Sequence, residues 1–191
     1  MHPMHPTKVL ISLGFAALAL LAGPAFAQKV RLATSAGDIV LQLDREKAPK
    51  TVDNFLQYVK DGHYDGTVFH RVIAGFMVQG GGMRPDMSEK TTRAPIPLES
   101  RNGLNNTRGT VAMARTMVPD SATAQFFINV VDNAFLDQAN SRDGNGYAVF
   151  GKVVDGMAVV DKITAVAVKN AGPHQNVPVE PVIIRKASLE K

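Results

Sequence analysis

The sequence predicts a mainly β chain whose short strands close into an antiparallel barrel. Three observations carry that expectation. About eight short stretches alternate apolar and polar residues between Gly, Pro, Asn or Asp clusters, as strands do. Only two stretches repeat with helical spacing. Strands and helices do not alternate along the chain, which disfavours a doubly wound parallel sheet. An eight-stranded barrel has an interior just wide enough for its own side chains. Its core is therefore expected to be packed, and a binding site must lie on the outer wall.

In chain order, residues 1–27 read as a secretory signal peptide. A short polar start with Lys8 precedes the apolar residues 9–23, and Ala25 and Ala27 flank Phe26. That layout predicts cleavage after Ala27. The apolar run of about 15 residues is short of the roughly 20 that a bilayer span needs. The expected division is a leader, 1–27, and one domain, 28–191.

Residues 29–34 and 39–43 alternate around the turn cluster Ser35, Ala36, Gly37 and Asp38, which predicts a hairpin. Pro49 opens a helix in which Val52, Phe55, Leu56 and Val59 share a face, and Gly62 ends it. Residues 68–73 and 76–79 read as two strands around Ala74 and Gly75. Residues 83–107, with Pro85, Pro95 and Pro97, show no period and read as a long surface loop with at most one short strand. Strands are expected over 110–114 and 126–130, a single turn over 133–138 and a loop over 141–146. A further strand is expected over 147–153, followed by a turn at Asp155 and Gly156. Met157, Val160 and Ile163 mark the second helix. Residues 171–178 read as a loop, and 181–187 as a last strand with Val182 and Ile184 on one face.

The stretch VFHRVIAGFMVQGGG, residues 68–82, is where chemistry is expected. Strict alternation puts Phe69, Arg71 and Ile73 on one face and His70 and Val72 on the other. A guanidinium among hydrocarbon is costly unless hydrogen-bonded, and Gln79 offers an amide oxygen. Phe76 and Met77 add apolar surface. An arginine held over an apolar depression can bind an apolar group and polarise the amide beside it. Phe126 and Phe127 are adjacent, so one must face the core and the other the outside. An outward phenylalanine on a barrel calls for a ligand groove.

That stretch resembles the signature of the cyclophilin family of peptidyl-prolyl cis-trans isomerases. GTVAMAR, AQFFINV, FLD and YAVFGKVVDGMAVVDKI follow in the family's order, so the resemblance spans roughly residues 29–186. It implies an eight-stranded barrel capped by two α-helices, with a surface groove and no cofactor or metal. It implies that Arg71 is the catalytic donor and that Gln79 orients it. The proline pocket would be Phe76, Met77, Phe127 and Leu136. Gln125 would bind substrate backbone. Ala114 and Arg115 would line the groove, Arg115 through its main chain. Phe135 and Tyr147 stand on the same groove, where the commonest eukaryotic pattern has tryptophan and histidine. Phenylalanine lacks the indole N–H donor, so weak inhibition by cyclosporin is expected.

Rotation about the bond before proline faces a barrier of about 18–20 kcal/mol, because the nitrogen lone pair is shared with the carbonyl. No bond breaks, so no nucleophile, metal or general base is required. A donor aimed at the proline nitrogen localises the lone pair and weakens the conjugation. The composition agrees. There is no cysteine, and hence no thiolate chemistry. The net charge is +4, or +3 once Lys8 leaves with the leader, too small a surplus for nucleic-acid binding. His63, His70 and His174 show no paired ligand spacing. Gly80, Gly81 and Gly82 lack the lysine and hydroxyl residue of a phosphate loop.

The expected partners are proline-containing segments of exported proteins, met in a periplasm by a monomer with no stable membrane association after cleavage. A module that holds such segments without turning them over would use the same pocket. An Arg71→Ala variant separates the two readings: turnover collapses, whereas holding weakens modestly.

Overall fold

The structure, a computed structural model, describes residues 28–190. The leader expected over 1–27 lies outside the described residues. Strands β1 (Lys29–Thr34) and β2 (Gly37–Leu43) form the first hairpin. Helix α1 (Pro49–Lys60) starts with proline at its first turn, where a missing N–H costs nothing. The amides of Lys50 and Thr51 instead find the carboxylate of Glu99, 3.2 and 2.8 Å away. A distant acid thus satisfies donors that no local cap residue serves.

The chain continues through β3 (Thr67–Ile73), β4 (Met77–Met83), β5 (Thr110–Met113), β6 (Phe126–Asn129) and β7 (Val149–Asp155). Helix α2 (Met157–Thr164) and strands β8 (Val168–Ala171), β9 (His174–Pro178) and β10 (Ile183–Leu189) complete it. Eight strands close in the order β1-β10-β3-β4-β6-β5-β7-β2, all antiparallel. The expected mainly β, closed eight-stranded barrel with two helices is the fold. Its interior is one packed cluster that includes Leu32, Leu41, Phe69, Phe126, Ile128 and Phe150, to which α1 adds Phe55 and α2 adds Ile163.

Four local expectations are corrected. Residues 171–178 are not a plain loop: β8 and β9 pair as a separate hairpin, with Lys169 opposite Val177. Polar Lys169, Asn170, His174, Gln175 and Asn176 make up most of it and burial is confined to Val177 and Pro178, so alternation gave no strand signal. The strand expected from Tyr147 begins at Val149, because the Tyr147 amide turns away to bond the Leu136 carbonyl at 3.0 Å. β4 runs on past Gln79 through the three glycines to Met83. The fourth correction concerns β3. Its register against β4 shifts between Phe69 and Arg71. The extra residue, His70, breaks strict alternation. Phe69 and Val72 therefore both lie in the core, and Arg71 does not share a face with Phe69.

Candidate active site

Beyond the bulge, alternation sorts neighbouring residues of four strands to two sides of the wall. Val78, Val111, Phe126, Ile128 and Phe150 go inward. Met77, Ala112, Phe127 and Val149 go outward and form a second, smaller apolar cluster with Leu136. Leu136 comes from a 3₁₀ turn, Ala134–Leu136. Phe76, Ala114 and Tyr147 pack on this outer cluster. Between them lies a depression of about 140 Å³, lined by Phe76, Met77, Ala114, Phe127, Leu136 and Tyr147. A dry cavity of roughly 150 Å³ admits benzene, so a five-membered ring fits.

Arg71, Gln79 and Arg115 supply the polar edge of the depression. Arg71 and Gln79 are directly opposite on β3 and β4. Arg71 Nη1 sits 3.4 Å from Gln79 Oε1 and 4.0 Å from Met77 Sδ. Among the described residues Arg71 has no carboxylate partner. Two long contacts made by one nitrogen leave most of its five donors free for a ligand.

Gln79 in turn donates through Nε2 to Gln125 Oε1, at 2.9 Å. Gln125 does not line the depression itself and joins it through Gln79. Phe135 also stands off the floor. It is 57 % exposed and stacks on Phe76 with ring centroids 5.6 Å apart. The sequence-expected residues thus come together at one place, with Gln125 and Phe135 on its margin.

Gln125 lies across β4 where there is no side chain beneath it. A Cβ on Gly82 would come within 2.5 Å of Gln125 Cγ. Gly82→Ala is therefore expected to push Gln125 off Gln79 and to lower turnover by up to roughly 10²-fold. Tm should change little, because a surface amide can shift where a core cannot. Turnover and a thermal melt on the same sample check this.

The side chain of Arg115, a residue expected to serve the groove through its main chain, is 2 % exposed. Its guanidinium donates to Gly146 O (2.8 Å), Thr116 O (3.0 Å) and Asp143 Oδ2 (2.5 Å). Its Cζ stands 4.7 Å over the Tyr147 ring. Three acids, Asp132, Asp137 and Asp143, tie the surrounding loops down. Asp132 accepts from the Arg108 amide (2.8 Å) and Asp137 from the Asn106 amide (2.6 Å). Hydrogen bonds from the Asn145 amide first, and then from Arg115, hold the Asp143 carboxyl well below the usual carboxylate range.

One group of residues gave no signal in the sequence. Asn106, Asn129 and Asn133 are buried and bonded to one another. Asn133 Nδ2 also donates to Phe76 O at 2.9 Å, fixing the residue that forms the lip of the depression. Asn133→Ala leaves the buried Asn129 Oδ1 without its donor, while Phe76 O keeps the Val130 amide at 3.1 Å, and is expected to cost about 1–3 kcal/mol, read from the denaturant midpoint. Among the described residues, no three His, Cys, Asp or Glu side chains cluster to hold a metal ion. No described helix is long and apolar enough to cross a membrane.

Comparison with known proteins places these features in company. A model of the family described as "Cyclophilin type peptidyl-prolyl cis-trans isomerase/CLD" matches residues 29–189. The chain is 59% identical over 172 residues to peptidyl-prolyl cis-trans isomerase A of Dickeya dadantii, covering 88% of this chain and 90% of that one. It is 58% identical over 159 residues to peptidyl-prolyl cis-trans isomerase B of Escherichia coli, covering 83% and 97%. A crystal structure of a Cryptosporidium parvum cyclophilin-type isomerase, solved in the presence of the dipeptide Ala-Pro, superposes with a TM-score of 0.71. The two are 26% identical, with 86% of this chain and 99% of that one covered.

Proposed function

The chain belongs to the cyclophilin-type peptidyl-prolyl cis-trans isomerase family, and from that premise we propose that Arg71 and the outer depression make it a catalyst of X-Pro rotation in exported proteins. One observation carries the reading: an arginine with no carboxylate partner among the described residues stands at the edge of an apolar depression of about 140 Å³. The proline ring enters between Phe76, Met77, Phe127 and Leu136. Arg71 then donates to the imide nitrogen as it turns pyramidal. Gln79 keeps the guanidinium from swinging away, and Gln125, bonded to Gln79, meets the substrate backbone. The main chain at Ala114 and Arg115 holds one side of the peptide while the other turns. A similar structure solved in the presence of the dipeptide Ala-Pro supports a proline-bearing ligand.

Uncatalysed exchange takes roughly 10–100 s. Exchange spectroscopy on an X-Pro peptide, with catalytic amounts of this chain, should show that time shortened. Binding without any acceleration would overturn the reading and leave a holding module. Phe135 offers no N–H to a ligand, so cyclosporin should inhibit weakly. A nanomolar inhibition constant would contradict that.

The leader pattern over residues 1–27 supports export, with release of a monomer into the periplasm. Cell fractionation with intact-mass measurement tests it. The periplasmic species should begin at Gln28, and a cytoplasmic full-length chain would overturn the export reading while leaving the isomerase reading intact.

A further inference from the structure

We propose that Asp143 is a positioning residue for the reaction: paired with the buried Arg115, it fixes Tyr147 and with it one wall of the proline pocket. The inference rests on the reading of the depression as that pocket. Arg115 leaves the end of β5, on one rim. Asp143 belongs to the loop 141–147, on the other. Their ion pair joins the two rims across 28 residues of chain, and it is not of the exposed kind that contributes little. The Arg115 side chain is 2 % exposed, and its guanidinium makes three hydrogen bonds, two of them to main-chain carbonyls.

Asp143 is also tied at its own end. Its Oδ1 accepts from the amides of Asn145 (3.0 Å) and Gly146 (3.3 Å), so the loop is wound around the carboxylate. The loop is then pressed onto the turn that carries Leu136. A Cβ on Gly146 would stand 2.6 Å from the Gln138 amide nitrogen and 2.8 Å from Leu136 O. The next residue, Tyr147, bonds Leu136 O through its amide at 3.0 Å. Its ring is held on two sides. Arg115 covers it at 4.7 Å, and Phe127 meets it edge-on with centroids 5.6 Å apart. Two wall residues of the depression, Leu136 and Tyr147, thus take their positions from this loop. The Arg71–Gln79–Gln125 chain does not.

Removing the carboxylate charge leaves a buried guanidinium unpaired, an arrangement proteins relieve by letting the group out to water. Arg115 would then leave the face of Tyr147, and the wall would loosen. Asp143→Asn keeps the size and an acceptor for the two amides but loses the charge. It is expected to raise KM for an X-Pro peptide roughly tenfold with kcat nearly unchanged, the pattern for lost ring binding with the donor intact. The Tyr147 ring protons should shift in the NMR spectrum as the cation leaves. Asp143→Glu should restore part of the KM. Asp161→Asn, which breaks the exposed Arg108–Asp161 pair on α2, should leave KM where it was.

If folded Asp143→Asn keeps the parent KM and the parent Tyr147 shifts, the inference fails. It also fails if kcat and KM move together with Tm in all three variants, because that would be general loosening. An inactive parent chain would instead defeat the isomerase reading on which the inference stands.

Discussion

Replacing Arg71 with alanine is expected to lower kcat for X-Pro exchange by roughly 10²–10³-fold, the cost of removing one preorganised donor, about 2.7–4 kcal/mol. KM should move much less, because Phe76, Met77, Phe127 and Leu136 still bound the depression. Stability should hold as well. The guanidinium has one long contact to Gln79 and no ion pair among the described residues, so its loss strands no buried charge. Arg71→Lys is a sharper test. It keeps the positive charge but replaces a planar fork of five donors by a flexible point charge. If lysine restores the rate, a nearby charge is enough. If it does not, the fork geometry is what localises the nitrogen lone pair. Full activity in folded Arg71→Ala would remove the donor from the mechanism.

The second large effect concerns acid. His70 sits in the β3 bulge, 6 % exposed. Burial first, and then the positive fields of His174 on β9 and Arg71 beside it, lowers its pKa from 6.5 to about 4. The folded state therefore holds the neutral ring, while the unfolded chain takes up a proton below pH 6.5. The contribution is complete above the unfolded value and is lost as pH falls from 6.5 to about 4. The size is about 3 kcal/mol. Burial lowers the pKa of His63 too, so it acts in the same direction. Unfolded carboxylates titrate mostly near 4, so the upper half of this window belongs to the imidazoles. Denaturant unfolding across it should show stability falling with pH, with a shallower slope in His70→Gln. An NMR titration of the His70 ring in the unaltered protein gives the same answer without a variant. A ring that titrates near 6.5, or an unchanged slope in the variant, would refute the account.

Much of the wall could be read from the chain alone. Period-two alternation sends Phe126 inward and Phe127 outward, and the same rule splits Met77 from Val78 and Val149 from Phe150. That information is local: each side chain's direction follows from its neighbours along one strand. The resemblance drew the scattered stretches onto one face, and the depression gathers most of the residues expected there. Where local rules met a bulge they failed. Phe69 was expected beside Arg71, yet one extra residue turned it into the core. The hairpin of β8 and β9 failed for a related reason, since burial is confined to Val177 and Pro178 at its end and two adjacent buried residues leave no period to read.

The sequence by itself, through its strand pattern and the family resemblance that its motifs carry, determined that this chain is a packed antiparallel barrel with an arginine-edged apolar patch on its outer wall. Alternation and composition act over a few residues and survive without knowledge of what lies opposite. Only the tertiary structure decided that Glu99 caps α1, that three buried asparagines hold Phe76, and that Asp143 meets Arg115. Each of these joins groups far apart in the chain. Their strength comes from removal from water on folding, a condition that no single stretch of sequence carries.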